Sequence, residues 1–313
     1  SLTPNREIEK QVEHLLRQLT LDERISLLAG TGFDTVPIPR LGIPSLKMTD
    51  GPVGVRLAPA TSLPSSIALA ASFDPELIQK VAQAIAQETK AKGKNVLLGP
   101  CVNIQRTPFG GRNFESFGED PFLAAQMAVA YIKGMQAEHV IPSVKHFAAN
   151  NQEENRHTID VLVDERALHE IYFPAFKASV KEANVWSVMS AYNKLNGFYA
   201  SENEYLLKDV LKKRWGFRGL VMSDWGAVNS TVPTIKNGLD LEMPTGRFLN
   251  AETVKRALKS KEIGESNIDE MVRRLLRVMY VAGVMGRKFS ENASIDTTEH
   301  RTIAREAATA GIV

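Results

Sequence analysis

Asp224 stands in GLVMSDWGA, at the end of an apolar run and directly before Trp225. A carboxylate beside an indole face suits a sugar. The C–H faces of a pyranose pack on aromatic rings, and an oxocarbenium-like transition state needs a nearby negative charge. The competing reading of Asp224 is a capping residue that opens a helix after a strand. Lys145 and His146 close the run VIPSVKHF, and adjacent polar side chains at a strand end are costly unless they hold something polar. They serve a ligand, form a solvated rim pair, or, for His146, bond to backbone. Lys145 is also of the type that forms Schiff bases once desolvation lowers its pKa. Asp50-Gly51-Pro52 reads equally as a strand-end carboxylate and as a tight turn. Arg112, in GGRNFESFGEDP, has glycine neighbours that admit close backbone approach, or else pairs with Glu115 or Glu119.

Other chemistries lack their residues. There is no HxH, HExxH or Cys/His cluster, no GxGxxG after a strand, no Walker GKS/T and no GxSxG, so no metal and no nucleotide cofactor is expected. The single cysteine, Cys101, excludes an internal disulfide and is expected as core filler. Lys and Arg number 38 against 36 Asp and Glu, a net charge of +2 that provides no general field for nucleic acid or an anionic membrane. No run reaches the roughly 20 apolar residues of a membrane span. The N-terminus is polar and carries no signal peptide, as a processed chain also would, so the compartment stays open.

The elements that must position these groups alternate along the chain. Seven apolar, β-like runs occur at 46–50, 65–72, 96–104, 140–147, 185–193, 219–225 and 239–244. Helices between them have readable starts: capping boxes at Thr20/Glu23 and Ser201/Glu204, Asp-Pro starts at Asp74 and Asp120, and caps at Asp164 and Ser266. Apolar residues from Ile268 to Tyr280 mark one face of a long helix, and His300 to Ala310 reads as another. The alternation predicts an α/β fold, a (β/α)8 TIM-like barrel, incomplete or distorted because seven strands rather than eight are recognisable. Six of the seven runs end in polar groups: Asp50, Asn103, Lys145/His146, Tyr192/Asn193, Asp224 and Glu242. In such barrels the strand C-termini form the catalytic mouth. Two over-long loops, 106–121 and 148–166, are expected to reach the ligand.

KMTDGPVGVR, GRNFESFGEDP, SVKHFAANNQEENRH, SAYNKLNG and GLVMSDWGA, in this order from about residue 20 onward, resemble the N-terminal barrel of family 3 glycoside hydrolases, in the β-glucosidase branch. The resemblance implies release of terminal non-reducing β-D-glucose from β-glucosides with retention, Asp224 acting as nucleophile. It implies that Asp50, Arg56, Arg112, Lys145, His146, Arg156 and Tyr192 surround the sugar, and that Trp225 lines that subsite and the next. Asp50 is expected to take two hydroxyls, with Arg112, Lys145 and His146 as donors and Tyr192 orienting the nucleophile. A β-xylosidase, a non-catalytic sugar-binding barrel fragment and a Lys145 lyase are the alternatives.

In the β-glucosidase branch the acid/base is a glutamate on a second, α/β-sandwich domain. The expectation here is a barrel over 1–290 and a linker helix over 291–313 leading to that absent domain, so that a C-terminal domain or a partner chain supplies the acid. The His/Asp pair of the N-acetylglucosaminidase branch has no counterpart in the loop AANNQEENRH. Retention needs two carboxyl groups about 5–5.5 Å apart. Glu115, Glu153, Glu154 and Glu242 are the substitutes to weigh within this chain.

Overall fold

The computed structural model describes residues 2, 5–286 and 295–312. The expected boundary at 290/291 lies outside the described residues. The chain forms two compact units: one of Lys47–Arg156, Val163–Val185 and Lys288–Val313, here the Asp50 unit, and one of Ser1–Leu46, His157–Leu162 and Trp186–Arg287, the Asp224 unit.

In the Asp50 unit, strands β1 (Met48–Asp50), β2 (Val96–Leu98) and β3 (Ile141–Phe147) run parallel, with Asp50 opposite Leu98 and Val96 opposite Ile141. Every residue of β2 and β3 is buried, as continuous apolar runs require when helices cover a sheet. Helices Pro75–Ala91 and Pro121–Ala137 make the crossings and pack on each other. Each starts as expected: Asp74 accepts from the Leu77 amide and Asp120 from that of Leu123, with proline in the first turn. Helix Thr298–Ala310 is pinned to helix Pro75–Ala91 by buried His300, whose Nδ1 lies 2.9 Å from Glu88 Oε1.

In the Asp224 unit, β4 (Asp160–Val161) pairs with β6 (Lys194–Leu195), and β5 (Ser187–Ser190) runs parallel to β8 (Leu220–Ser223). Strand β7 (Phe198–Tyr199) folds back on β6 across Asn196-Gly197, whose φ values of 51° and 92° suit a type I′ turn. The Asn-Gly pair is a hairpin signal to which the sequence reading attached no expectation.

Four expectations change. Residues 65–72 hold a helix, Ser66–Ala70, rather than a strand; the run has one β-branched residue, Ile67, among alanines and leucine, which favour helix. The 239–244 run makes only single bridges, Leu241 to Met222 and Glu242 to Ala29. The Val221 amide there donates to the Asp240 carboxylate, at 2.8 Å, instead of to a carbonyl, which interrupts the ladder. The helix expected from Ser201 is capped by Asn203, which accepts from Leu206, while Ser201 Oγ pairs with Ser190 Oγ. Helix Glu265–Val281 has Gly264 rather than Ser266 at its cap, its amide donating to Asn267.

Asp240 also meets Lys212 Nζ at 2.6 Å, both largely buried. Burial pushes the Lys212 amine down to about 8 against the pull of Asp240. Removing one partner strands the other charge in the interior. Lys212→Met is therefore expected to destabilise the fold by about 3–5 kcal/mol in urea unfolding, and a Lys212→Met/Asp240→Leu double variant to recover most of that loss.

Candidate active site

The ends of β1 and β3 place Asp50 and Lys145 together. Lys145 Nζ, nearly buried, donates to Asp50 Oδ1 at 2.8 Å, and Arg56 Nη1 donates to Asp50 Oδ2 at 2.7 Å. The Gly51 amide adds a third hydrogen bond at 3.0 Å. Burial pushes the Asp50 carboxyl up, but Lys145, Arg56 and the Gly51 amide more than offset this and hold it below the ordinary range. The turn reading also holds, since the Gly54 amide donates to the Gly51 carbonyl at 3.1 Å. Gly51 is required there: a Cβ would meet the Gly54 carbonyl oxygen at 2.1 Å. Lys145 Nζ is committed to the Asp50 carboxylate, which speaks against the lyase reading.

The pairing continues through Glu115 and Glu153, which the sequence did not single out for the sugar. Arg56 Nη2 lies 3.4 Å from Glu115 Oε2, and Arg112 Nε lies 2.5 Å from Glu115 Oε1. Arg112 Nη1 is 3.8 Å from Glu153, which takes Arg156 Nη1 at 2.6 Å. Lys145, Asp50, Arg56, Glu115, Arg112, Glu153 and Arg156 thus alternate in sign along one connected array. Six of the nine expected site residues belong to this unit, and five of those six sit in the array. Arg112 meets Glu115 rather than Glu119.

The sixth, His146, is buried and joined to Asn103 through both ring and backbone. Burial, then the charges of Arg112, Lys145 and Arg156, push its pKa well below the ordinary histidine value, so the ring is neutral. Cys101 Sγ lies 3.8 Å from His146 Nδ1. The cysteine is thus buried, as expected, but against a polar ring. Burial and the charge of Glu115 push its thiol up to about 12. A cavity of about 20 Å³ bordered by Cys101, Asn103, Arg112, His146, Asn150 and Glu153 has room for a water and not for a pyranose.

Tyr192, Asp224 and Trp225 belong to the other unit. Asp224 follows β8 directly and is buried; its Oδ1 accepts from the Trp225 amide at 2.7 Å. The next helix, Val232–Asn237, starts eight residues later without a side-chain cap, so Asp224 caps no helix. The Gly226 amide donates to Met243 and the Met243 amide to Ser223 Oγ, fixing the turn that carries Trp225. Phe33 packs on Trp225 with ring centroids 5.0 Å apart and widens the aromatic surface beside Asp224. No sequence signal marked Phe33. Tyr192 is buried and held by an edge contact to His157 at 4.4 Å.

The substitute acids are mostly engaged elsewhere. Glu115 and Glu153 face guanidinium groups. Both Glu242 oxygens accept from the Phe248 amide and Oε2 also from that of Leu249, while burial pushes its carboxyl up. Glu154 is exposed.

The model of the glycosyl hydrolase family 3 N terminal domain matches residues 33–278. Thermostable beta-glucosidase B of Acetivibrio thermocellus is 46% identical over 96% of this chain and 42% of its own length. Beta-glucosidase B of Emericella nidulans is 44% identical over 97% of this chain and 37% of its own. Among solved structures, beta-glucosidase 3B from Thermotoga neapolitana in complex with glucose superposes with a TM-score of 0.92 at 40% identity, covering 96% of this chain and 47% of that one. Beta-D-glucoside glucohydrolase from Trichoderma reesei gives a TM-score of 0.92 at 35% identity, covering 98% and 46%. The chain spans less than half the length of these relatives. The fold it shares with the solved structures is the TIM-like (β/α) barrel, in an incomplete or distorted form.

Two measurements check this geometry. Because Asp50 titrates lower when folded, the unfolded chain binds its proton first as pH falls. Its contribution is then full above the ordinary value of 3.8 and lost as pH drops through the lower folded value. The stability gap between the protein and Asp50→Asn, from urea unfolding, is expected to be widest above about pH 4 and to close in acid. Cys101 is expected to resist a thiol reagent at pH 8 in the folded protein and to react fully once unfolded.

Proposed function

The chain belongs to glycosyl hydrolase family 3, and on that premise we propose that the protein releases terminal β-linked glucose from β-glucosides with retention, Asp224 serving as nucleophile. The observation that carries this reading is the alternating array of charged side chains, running from Lys145 at the end of β3 through Asp50 at the end of β1 to Arg156. A pyranose presents several hydroxyls, each a donor and an acceptor, and hydrogen bonds to charged groups contribute roughly 1.5–3 kcal/mol each. Such a surface discriminates against sugars that lack a hydroxyl far more than an apolar pocket does. The beta-glucosidase names of the similar proteins support glucose as the sugar.

In the proposed reaction the Asp224 carboxylate attacks the anomeric carbon. The bond to the leaving oxygen breaks, that oxygen takes a proton, and a glycosyl ester remains on Asp224. Water then attacks the ester carbon and surrenders a proton, releasing glucose and restoring the carboxylate. Asp50, Arg56, Arg112, Lys145, His146 and Arg156 hold the hydroxyls, Tyr192 orients Asp224, and Trp225, with Phe33 tilted against it, offers an aromatic surface to the sugar and its leaving group. The proton donor is assigned to a glutamate outside this chain, on a C-terminal domain or a partner chain. Acid–base assistance is worth about 10²–10⁴-fold, so an activated aryl leaving group is the substrate that shows this chain's own contribution.

Incubation with an activated 2-deoxy-2-fluoro-β-glucoside, followed by intact-mass measurement and peptide mapping, is expected to add one fluorohexosyl group on Asp224. Asp224→Asn is expected to abolish the adduct and to lower turnover of an activated aryl β-glucoside by at least about 10³-fold, roughly 4 kcal/mol. An adduct on another residue, or an undiminished rate in Asp224→Asn, overturns the assignment. Faster labelling by the corresponding xyloside would favour a β-xylosidase.

A further inference from the structure

Helix Thr298–Ala310 packs on helix Pro75–Ala91 within the Asp50 unit, and the buried ring of His300 stands between Glu88 and Gln87. His300 Nδ1 is 2.9 Å from Glu88 Oε1, and His300 Nε2 is 2.9 Å from Gln87 Oε1. Which of these atoms hold protons follows from their other partners. Gln87 Nε2 donates to Glu138 Oε1 at 3.1 Å, and Lys90 Nζ donates to the second oxygen of Glu138. Burial pushes the Glu138 carboxyl up, but Lys90 and Gln87 more than offset this and hold it below the ordinary range, so it only accepts. The Gln87 carboxamide is thereby oriented, its nitrogen toward Glu138 and its oxygen toward the ring. An amide oxygen has no proton to give, so His300 Nε2 carries one.

The other ring nitrogen is settled in the same way. Glu88 Oε2 accepts from the Thr61 amide at 3.0 Å, and Oε1 accepts from the Asp296 amide at 2.9 Å and from the Thr61 hydroxyl. Burial pushes the Glu88 carboxyl up, but the Thr61 hydroxyl, the two amides and His300 more than offset this and hold it below the ordinary range. An ionised carboxylate has no proton to give either, so Nδ1 carries the second.

We propose that His300 is an imidazolium, protonated on both ring nitrogens, and that its second proton makes the docking of helix Thr298–Ala310 on helix Pro75–Ala91 a pH-sensitive latch. A neutral ring has one donor for two acceptors, and whichever nitrogen gives up its proton turns a lone pair toward an oxygen. The docked helix binds this proton through two partners and the undocked helix through neither, so docking weakens as pH rises. Glu88 sets the acid limit. Its folded carboxyl lies below the ordinary 4.5, so its share is full above that value and lost as pH falls through the lower folded value.

The surrounding charges leave this proton to Glu88. Asp296 is taken by Arg301, and Glu138 meets the ring only through Gln87. Lys80, Glu299 and Glu306 line the open groove between the two helices, and Arg305 is exposed. Helix Ser66–Ala70, which also packs on Thr298–Ala310, has no ionisable residue.

Two measurements test the latch. Protein labelled with ¹⁵N-histidine gives long-range ¹H–¹⁵N spectra that separate protonated from bare ring nitrogens. The resonances are identified by His300→Gln, or by Gln87→Leu at an exposed position should the first variant not fold. At pH 7 both nitrogens of His300 are expected to carry protons in the unaltered protein, and only one in Glu88→Gln. A bare nitrogen at pH 7 in the unaltered protein overturns the proposal.

The second measurement is hydrogen–deuterium exchange by mass spectrometry, corrected for the intrinsic base-catalysed rate. Between pH 6 and pH 9, protection of peptides from Thr298–Ala310 is expected to fall by about tenfold or more, while that of helix Pro121–Ala137 stays level. In His300→Gln, whose side chain has no proton to lose, the fall is expected to vanish. Level protection of Thr298–Ala310 in the unaltered protein overturns the latch, and needs no variant to do so. A fall that persists in His300→Gln places the titrating group elsewhere and overturns it equally.

Discussion

Ionised side chains leave water only when each finds an opposite charge, and the Asp50 unit is organised around that constraint. Glu115 is wholly buried and Lys145 nearly so. Neither is tenable alone, because an unpaired charge in the interior costs several kcal/mol. The alternation of four cations with Asp50, Glu115 and Glu153 meets the requirement and fixes where each guanidinium points. Such an array is rigid for the same reason that it is stable: turning one member away strands the next.

The short strands follow from the same demand. Strands β1 and β2 are three residues each, and β8 four. They are long enough to be anchored between buried helices and short enough to end where a polar side chain must emerge. Asp50 is the last residue of β1, while Asp224 comes one residue after β8. Backbone hydrogen bonds hold the stems, so the side chains that follow start from restricted positions. Asn103 extends this economy by bonding to the backbone and the ring of one neighbour at once.

Neutral and charged polar groups are sorted within the Asp50 unit. The cationic members have an anionic partner each, whereas His146 has a carboxamide. A cationic surrounding makes a neutral ring the stable form. On the Asp224 unit the supports are aromatic and backbone groups: the Trp225 amide on Asp224, Phe33 on Trp225, His157 on Tyr192.

Much of this was legible in the amino-acid order, because it is local. Apolar continuity located five of the strands, Asp-Pro pairs located two helix starts, and the strand-end positions singled out Asp50, Lys145, His146 and Asp224. A single cysteine leaves no thiolate zinc cluster or internal disulfide to form. Where a short apolar run carried no periodicity, as at 65–72, propensity toward helix prevailed. At 239–244 a single carboxylate, Asp240, displaced a ladder bond that no local pattern records. Only the tertiary structure decided the rest, since it depends on partners distant in sequence. Glu115 meets Arg56 across 59 residues, Asn103 meets His146 across 43, and Phe33 meets Trp225 from far earlier in the chain. A sequence determines which groups are able to ionise, donate or stack. Which of them is paired, neutral or aimed is decided when folding removes the water that would otherwise have served them all.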